Sequence, residues 1–197
     1  MGYTLVLAEK PSVAATLAQV LKANKRNDGY FEGNGYIVTF AFGHLFELYD
    51  AKDYDESMSN WELDKFPFFP KEYKYKIKTD KKTKETDKRA EKQFNIIKKL
   101  ANRDDVTQII TATDWDREGE VIAMLIWKHI GINKPHKRIL VNEWTYEDIK
   151  KGMKNLKDIS EMKSLQEAGE ARTIIDWALG ANFTAAATCK FVKGKCR

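Results

Sequence analysis

The residues best suited to chemistry lie in one string, Thr111-Ala112-Thr113-Asp114-Trp115-Asp116-Arg117-Glu118-Gly119-Glu120, which places four carboxylates within seven residues. An apolar run, Val106 to Ile110, precedes it, and an apolar-periodic segment, Val121 to Ile130, follows. The acids therefore sit where a strand gives way to a helix. Like charges at that spacing raise one another's pKa and destabilise a fold, and a divalent cation among them is the simplest remedy. Asp114 and Asp116 are two residues apart at a strand end, where an extended backbone aims alternate side chains the same way. Glu118 follows on the first helical turn. Oxygen-only ligands of this kind suit Mg²⁺, which takes one or two protein carboxylates and fills its remaining positions with water or phosphate. Carboxylates, Mg²⁺ and a phosphodiester together mean phosphoryl-transfer chemistry.

Two other readings of the string are weaker. Asp-x-Asp-x-Glu-Gly resembles the opening of an EF-hand loop, but the position that needs a bidentate Glu holds Leu125. Acids also favour a helix N-terminus through the helix dipole, which explains one or two of them but not four.

An acidic site needs elements to hold it. Tyr3 to Ala8 predicts a buried strand ending at Glu9-Lys10-Pro11-Ser12, and Pro11 suits the first turn of a helix. Val13, Leu17, Val20 and Leu21 then form one apolar face. Glu9 and Lys10 thus stand at the carboxyl end of a strand, where open parallel sheets bind ligands. If strands 3–8 and 106–113 are neighbours, Glu9 joins the acidic crevice. Asn27 to Gly35 carries turn signals for a hairpin or loop. Tyr36 to Phe42 predicts a second strong strand closing at Gly43-His44-Leu45. His44 could contact phosphate there, or serve only as a hydrogen-bonded structural residue.

Residues 47–70 are irregular and aromatic, with Pro67 and Pro70, and predict an ordered, strand-poor connection. A half-buried strand with a basic outer face is expected at Glu72 to Lys78. A basic amphipathic helix over Thr86 to Ala101 comes next, with Phe94, Ile97 and Leu100 inward. Arg138 to Asn142 predicts a short strand, and Thr145-Tyr146-Glu147-Asp148 opens a helix with a relative of the capping box. Alternating strands and helices predict an α/β fold, a mostly parallel sheet flanked by helices. From about Ser160 the chain reads as helical and Ala-rich. The expected division is a first domain over 1–157 and an incomplete all-helical segment over 158–197.

The net charge of +5 hides an asymmetry. Residues 71–99 carry 12 Lys/Arg against 5 Asp/Glu, and Lys190, Lys193, Lys195 and Arg197 add a basic tail, which leaves the remainder acidic. Separate basic and acidic regions fit a polyanion on one surface and metal chemistry on another, although a Lys-rich stretch can also be a solvated face. The 43% hydrophobic and 12% aromatic content excludes a disordered chain. No run approaches the ~18 apolar residues of a membrane span, and the direct start into a strand predicts no signal peptide. Cys189 and Cys196 are too few for a disulfide framework or a zinc site, which fits a reducing cytoplasm.

Glu9 at one strand end, with Asp114-x-Asp116-x-Glu118-Gly119-Glu120 at another, resembles the Toprim domain of type IA DNA topoisomerases. Leu7-Ala8-Glu9-Lys10-Pro11-Ser12, Phe42-Gly43-His44-Leu45-Phe46-Glu47-Leu48, Trp61 and Pro67-Phe68-Phe69-Pro70 resemble the topoisomerase III branch. Arg138 through Glu143-Trp144-Thr145 is similar to that family's last Toprim strand and turn. Ala171-Arg172, Asp176-Trp177, Gly180 and Asn182-Phe183-Thr184 are similar to the helical segment that follows it and helps bind single-stranded DNA. The resemblance implies a Mg²⁺-dependent enzyme that breaks one DNA strand, passes another through and reseals the first. It implies that Glu9 assists proton transfer at the leaving 3′ oxygen or shares the metal. Asp114 and Asp116 would hold Mg²⁺ with Glu118 in support, and Lys10 would stabilise the scissile phosphate. His44, Arg172, Asn182 and Thr184 would contact DNA.

The family commonly has Pro where this chain has Trp115, a position that should tolerate exchange. None of the eight tyrosines sits in the family's nucleophile motif. The resemblance therefore implies an N-terminal piece that is inactive alone, whose partners are single-stranded or underwound DNA and the remaining C-terminal domains. The implied location is the cytoplasm, at the nucleoid. Two rival readings are a DNA-binding remnant without a catalytic partner and a Toprim protein of the nuclease or primase kind, which needs no tyrosine.

Overall fold

The computed structural model describes residues 2–192; Lys193, Lys195, Cys196 and Arg197 lie outside the described residues. Strand β1, Tyr3–Ala8, is the centre of a seven-stranded sheet. β4, Tyr36–Phe40, lies parallel to it on one side, and β7, Val106–Ala112, on the other. β8, His136–Arg138, extends the parallel part beyond β7. The edges are antiparallel: β2, Lys25–Asn27, with β3, Tyr30–Gly33, beside β4, and β9, Lys157–Asp158, beside β8. The sheet is thus mostly parallel, as expected. The expected hairpin or loop at 27–35 is a pair of short strands.

Strands buried on both faces read as continuous apolar runs, and β1 and β7 owe their legibility to this. Val6, Ala8, Val38, Ile110 and Ala112 face a cluster built with Ala14, Leu17 and Leu21 of helix α1, Pro11–Leu21, and Ile149 of helix α5, Tyr146–Lys154. Alternation turns Leu5, Leu7, Ile37 and Ile109, all fully buried, to the opposite face. Helices α3, Lys88–Ala101, and α4, Arg117–Ile130, cover that face with Phe94, Ile97, Leu125 and Ile126. The caps are local. Asp87 accepts the amides of Arg89 and Ala90 at the start of α3, Thr145 accepts that of Asp148 at the start of α5, and Gly131 closes α4 in the left-handed region at φ 71°.

Two features depart from expectation. The last parallel strand lies at 136–138, where His136 to Arg138 pair with Ile109 to Thr111 of β7. Ile139 and Val141, expected in that strand, are buried beyond it as core residues. The 47–70 connection holds a short strand, β5, Phe46–Leu48, paired with β6, Tyr75–Ile77, and a helical turn, α2, Ala51–Tyr54. From Lys163 a single helix, α6, runs to Phe191.

By compactness the chain falls into two units, Met1–Phe46 with Ile77–Gly169, and Glu47–Lys76 with Glu170–Arg197. These differ from the expected division at 157/158, because 47–76 groups with the end of α6. Within the second unit, Tyr73 stacks edge-on against Trp177 with ring centroids 5.6 Å apart, and Lys74 donates its amide to the Tyr54 hydroxyl at 2.8 Å. Burial raises the Tyr75 phenol to about 12. Among the described residues, no helix is long and apolar enough to cross a membrane.

Candidate active site

The sheet order reverses at β1: the chain leaves it towards β4 and returns on its other side as β7. Such a switch point opens a crevice at the carboxyl ends of the two strands. Ala8 stands in register with Ala112, so Glu9 and Asp114 emerge side by side. Glu9, 8% exposed, accepts the Asp114 amide on Oε2 at 3.2 Å. The Lys10 ammonium lies 3.2 Å from Glu9 Oε1 and 3.0 Å from Asp114 Oδ2. The Trp144 indole donates to Asp114 Oδ1 at 2.8 Å. Hydrogen bonds to Asp114 and then to Glu9 raise the Lys10 pKa. Burial pushes the Asp114 carboxyl up, but the hydrogen bonds from Trp144 and Lys10 outweigh it and hold the group below the usual carboxylate range.

The other acids have different partners. Asp116 caps α4, accepting the Gly119 amide on Oδ1 at 2.7 Å, which leaves its Oδ2 without a bond among the described residues. Glu118 Oε2 lies 2.9 Å from His44 Nε2 in an exposed pair. Glu120 is fully buried, 2.6 Å from Nε of the equally buried Arg138, and takes a second bond from Gln166. Arg138 then spends its remaining donors on backbone oxygens of Thr111, Thr113, Asp114 and Ile139. This clamp fixes the chain where β7 ends and Asp114 begins. Gly119 fits beneath it because a Cβ there would lie 2.2 Å from the Asp114 carbonyl oxygen.

The acids thus have partners in the fold without a shared cation. Lys10 serves Glu9 and Asp114, His44 meets Glu118, the α4 N-terminus meets Asp116, and Arg138 meets Glu120. Among the described residues, no three His, Cys, Asp or Glu side chains are grouped to hold an ion. The donor chemistry nonetheless suits a hard cation: oxygen ligands only, with Asp114 and Asp116 at a strand end and Glu9 beside them. The first unit thus brings together Glu9, Lys10 and Asp114, and pairs His44 with Glu118. Arg138 and Trp144 complete the site; sequence reasoning assigned them no role. A charged residue opening a predicted short strand was the available signal for Arg138.

Arg172, Asn182 and Thr184 belong to the second unit. Arg172 pairs with Asp176 one turn along α6, 3.5 Å away. The Asn182 amide is engaged within the fold: Oδ1 accepts the Phe68 amide at 2.6 Å, and Nδ2 donates to the carbonyls of Phe68 and Ala178. Thr184 is exposed and lines a groove of about 540 Å³ with Lys52, Trp61, Asp176 and Trp177.

The family model of the Toprim domain matches residues 4–144. This chain belongs to the Toprim domain family. The matched span runs from β1 to Trp144, so it contains every residue of the acidic crevice. Two relatives of this Toprim chain, each named DNA topoisomerase 3, come from Bacillus subtilis strain 168 and Bacillus anthracis. Each is 41% identical over 191 residues, covering 97% of this chain and 25% of the relative. The chain spans about a quarter of the length of these curated relatives. Its fold is also similar to that of a full-length topoisomerase I from Thermotoga maritima, with a TM-score of 0.63 and 25% identity over 93% of this chain and 26% of the other.

Proposed function

We propose that this Toprim chain is the N-terminal part of a type IA DNA topoisomerase of the topoisomerase III branch, which cuts one DNA strand, passes another through and reseals it. One observation carries the reading. Glu9, Lys10 and Asp114 meet at two adjacent strand ends in a chain 41% identical over 97% of its length to proteins named DNA topoisomerase 3. In this reading Lys10 presents a preorganised positive charge to the scissile phosphate. Glu9, buried and oriented by the Asp114 amide, handles the proton at the leaving 3′ oxygen. Asp114 and Asp116, with Glu9 and Glu118 in support, are the residues that would hold Mg²⁺. When bound, Mg²⁺ supplies a hold on a non-bridging phosphate oxygen and offsets its charge. The attacking tyrosine comes from the remaining domains of the longer protein.

His44, Arg172 and Thr184 are proposed DNA contacts. Asn182 acts in the same region indirectly, by holding the Phe68 backbone. The substrate is single-stranded or underwound DNA, in the cytoplasm at the nucleoid.

Two measurements test this. Calorimetric titration with MgCl₂ should show binding to the wild-type chain and none to Asp114→Asn/Asp116→Asn; equal affinity in both removes the metal reading. The chain should be inert on supercoiled plasmid alone and should relax it once joined to the remaining domains of a full-length enzyme. Metal-dependent nicking by this chain alone would instead favour a nuclease-like Toprim protein, and no relaxation after joining would leave a DNA-binding remnant.

A further inference from the structure

The first unit carries a second groove that the acidic chemistry does not use. It occupies about 740 Å³ between the start of α1, the β2–β3 hairpin, the end of β4 and the start of α3. Phe31, Phe40 and Phe42 line it with Arg26, Arg89 and Asp28, whose carboxylate is taken by Lys92 at 2.8 Å. The rings of Phe40 and Phe42 meet edge-on with centroids 5.4 Å apart, and the Arg89 guanidinium stacks on Phe42 at 3.8 Å from the ring centroid. Both arginines are exposed, and among the described residues neither has a carboxylate partner.

Other arginines of the chain, Arg103, Arg138 and Arg172, do pair with carboxylates. Lys76 pairs with Asp53, Lys78 with Asp87 and Lys92 with Asp28. Two guanidiniums without acids over a half-buried aromatic floor suit a ligand that offers both negative charge and flat rings. A single-stranded nucleic acid offers both along its length, because a positive groove tracks the backbone while bases stack on aromatic or guanidinium faces. An acidic peptide supplies the charge but leaves three phenylalanine rings without a flat partner.

The groove also adjoins the acidic crevice. Pro11 and Ser12, which line it, directly follow Lys10. The chain leaving β4 runs beside the end of β1, with the Ala41 amide on the Ala8 carbonyl at 2.9 Å and the Gly43 amide on the Glu9 carbonyl at 3.3 Å. A strand with a phosphate near Lys10 could pass directly into it.

We propose that the Arg26–Arg89–Phe42 groove is a binding track for single-stranded nucleic acid, with phosphates on the two guanidiniums and bases against Phe31, Phe40 and the Phe42–Arg89 stack. This rests on nucleic acid being the ligand of the proposed function, but needs neither the metal nor strand cleavage. The test is fluorescence anisotropy of a labelled oligothymidylate with the 197-residue chain in EDTA, so that only metal-independent binding is read. Arg26→Gln/Arg89→Gln should weaken binding roughly tenfold and flatten the slope of log K against log salt by about 1.4, at about 0.7 for each phosphate contact on a single strand. Phe42→Leu should weaken binding while leaving the salt slope unchanged, since it removes a stacking surface and no charge. An oligonucleotide carrying 5-iodouracil should photocrosslink to the peptide holding Phe40 and Phe42.

Wild-type affinity in the double arginine variant overturns the proposal. So does crosslinking confined to residues 170–192, or heparin competing as well against Phe42→Leu as against wild type. Loss of Mg²⁺ binding or of relaxation in Asp114→Asn, with oligothymidylate binding intact, tests the proposed function and leaves the groove standing.

Discussion

Lys10 Nζ donates to Asp114 Oδ2 at 3.0 Å, joining two residues that lie 104 positions apart in sequence. Parallel pairing of β1 and β7 makes the contact possible, and its consequence is electrostatic. The lysine stands where a cation held by Glu9 and Asp114 would stand. The two signs of charge also give the pair a definite pH window. Lys10 has a raised pKa, so its contribution to stability is full below the ordinary lysine value and is lost as pH rises through the raised one. Asp114 has a lowered pKa, so its contribution is full above the ordinary carboxyl value and is lost as pH falls through the lowered one.

Lys10→Met should therefore reduce stability by an amount that stays flat between about pH 5 and pH 9, given ordinary values near 3.9 and 10.4, and shrinks in stronger acid or base. Urea unfolding across pH measures this. If Lys10 occupies the position of the proposed cation, the same variant should bind Mg²⁺ several-fold more tightly in calorimetric titration. Weaker binding would mean that the lysine helps to build the metal site.

Arg138 and Glu120 carry a second prediction. Both are fully buried, so removing one strands the other's charge. Glu120→Gln should destabilise the chain by about 3–5 kcal/mol, the usual cost of breaking a buried pair. Glu120→Leu/Arg138→Met should cost less than either single change, since no unpaired charge remains. Chemical denaturation of Glu120→Leu, Arg138→Met and the double variant, beside Glu120→Gln, decides it. Because the Arg138 donors also hold the Asp114 carbonyl at 2.9 Å, the Arg138 variants should also disturb the Asp114 side chain. An additive double variant would show that the two charges do not act as a unit.

How much of this was legible in sequence depended on range. β1, β7, α1 and α4 were readable because buried strands are continuous apolar runs and helix faces repeat every turn, with Pro11 and Gly131 as punctuation. The meeting of Glu9 and Asp114 followed from one assumption, that their strands are neighbours. The partners of the acids were not legible. Nothing local announces that Trp144 donates to Asp114 across 30 residues, or that Arg138, in the polar run His136-Lys137-Arg138, points inward. The same run hid β8, and β9 is two residues long, too short to carry a period. The grouping of 47–76 with the end of α6 rests on contacts such as Tyr73 with Trp177 and Asn182 with Phe68, which leave no local pattern.

His136 supplies the sharpest pH prediction. Its Nε2 lies 2.8 Å from Thr111 Oγ1, and the Trp127 indole donates to that same oxygen at 2.9 Å. With one lone pair taken by Trp127, the threonine hydroxyl is free to donate to an unprotonated Nε2. Burial, with the charge of Arg138 adding to it and that of Asp158 opposing, lowers the His136 pKa to about 4. The folded chain thus resists a proton that the unfolded chain accepts near pH 6.5. Stability from this site is full above about pH 6.5, declines as pH falls below it and is gone near the folded value; the shift corresponds to about 3 kcal/mol. Between pH 6.5 and pH 4 the wild-type chain should therefore lose stability faster than His136→Gln, whose amide can still meet Thr111 but does not titrate. Equal slopes for the two proteins in urea melts over that range would show that His136 is protonated as readily in the fold as outside it.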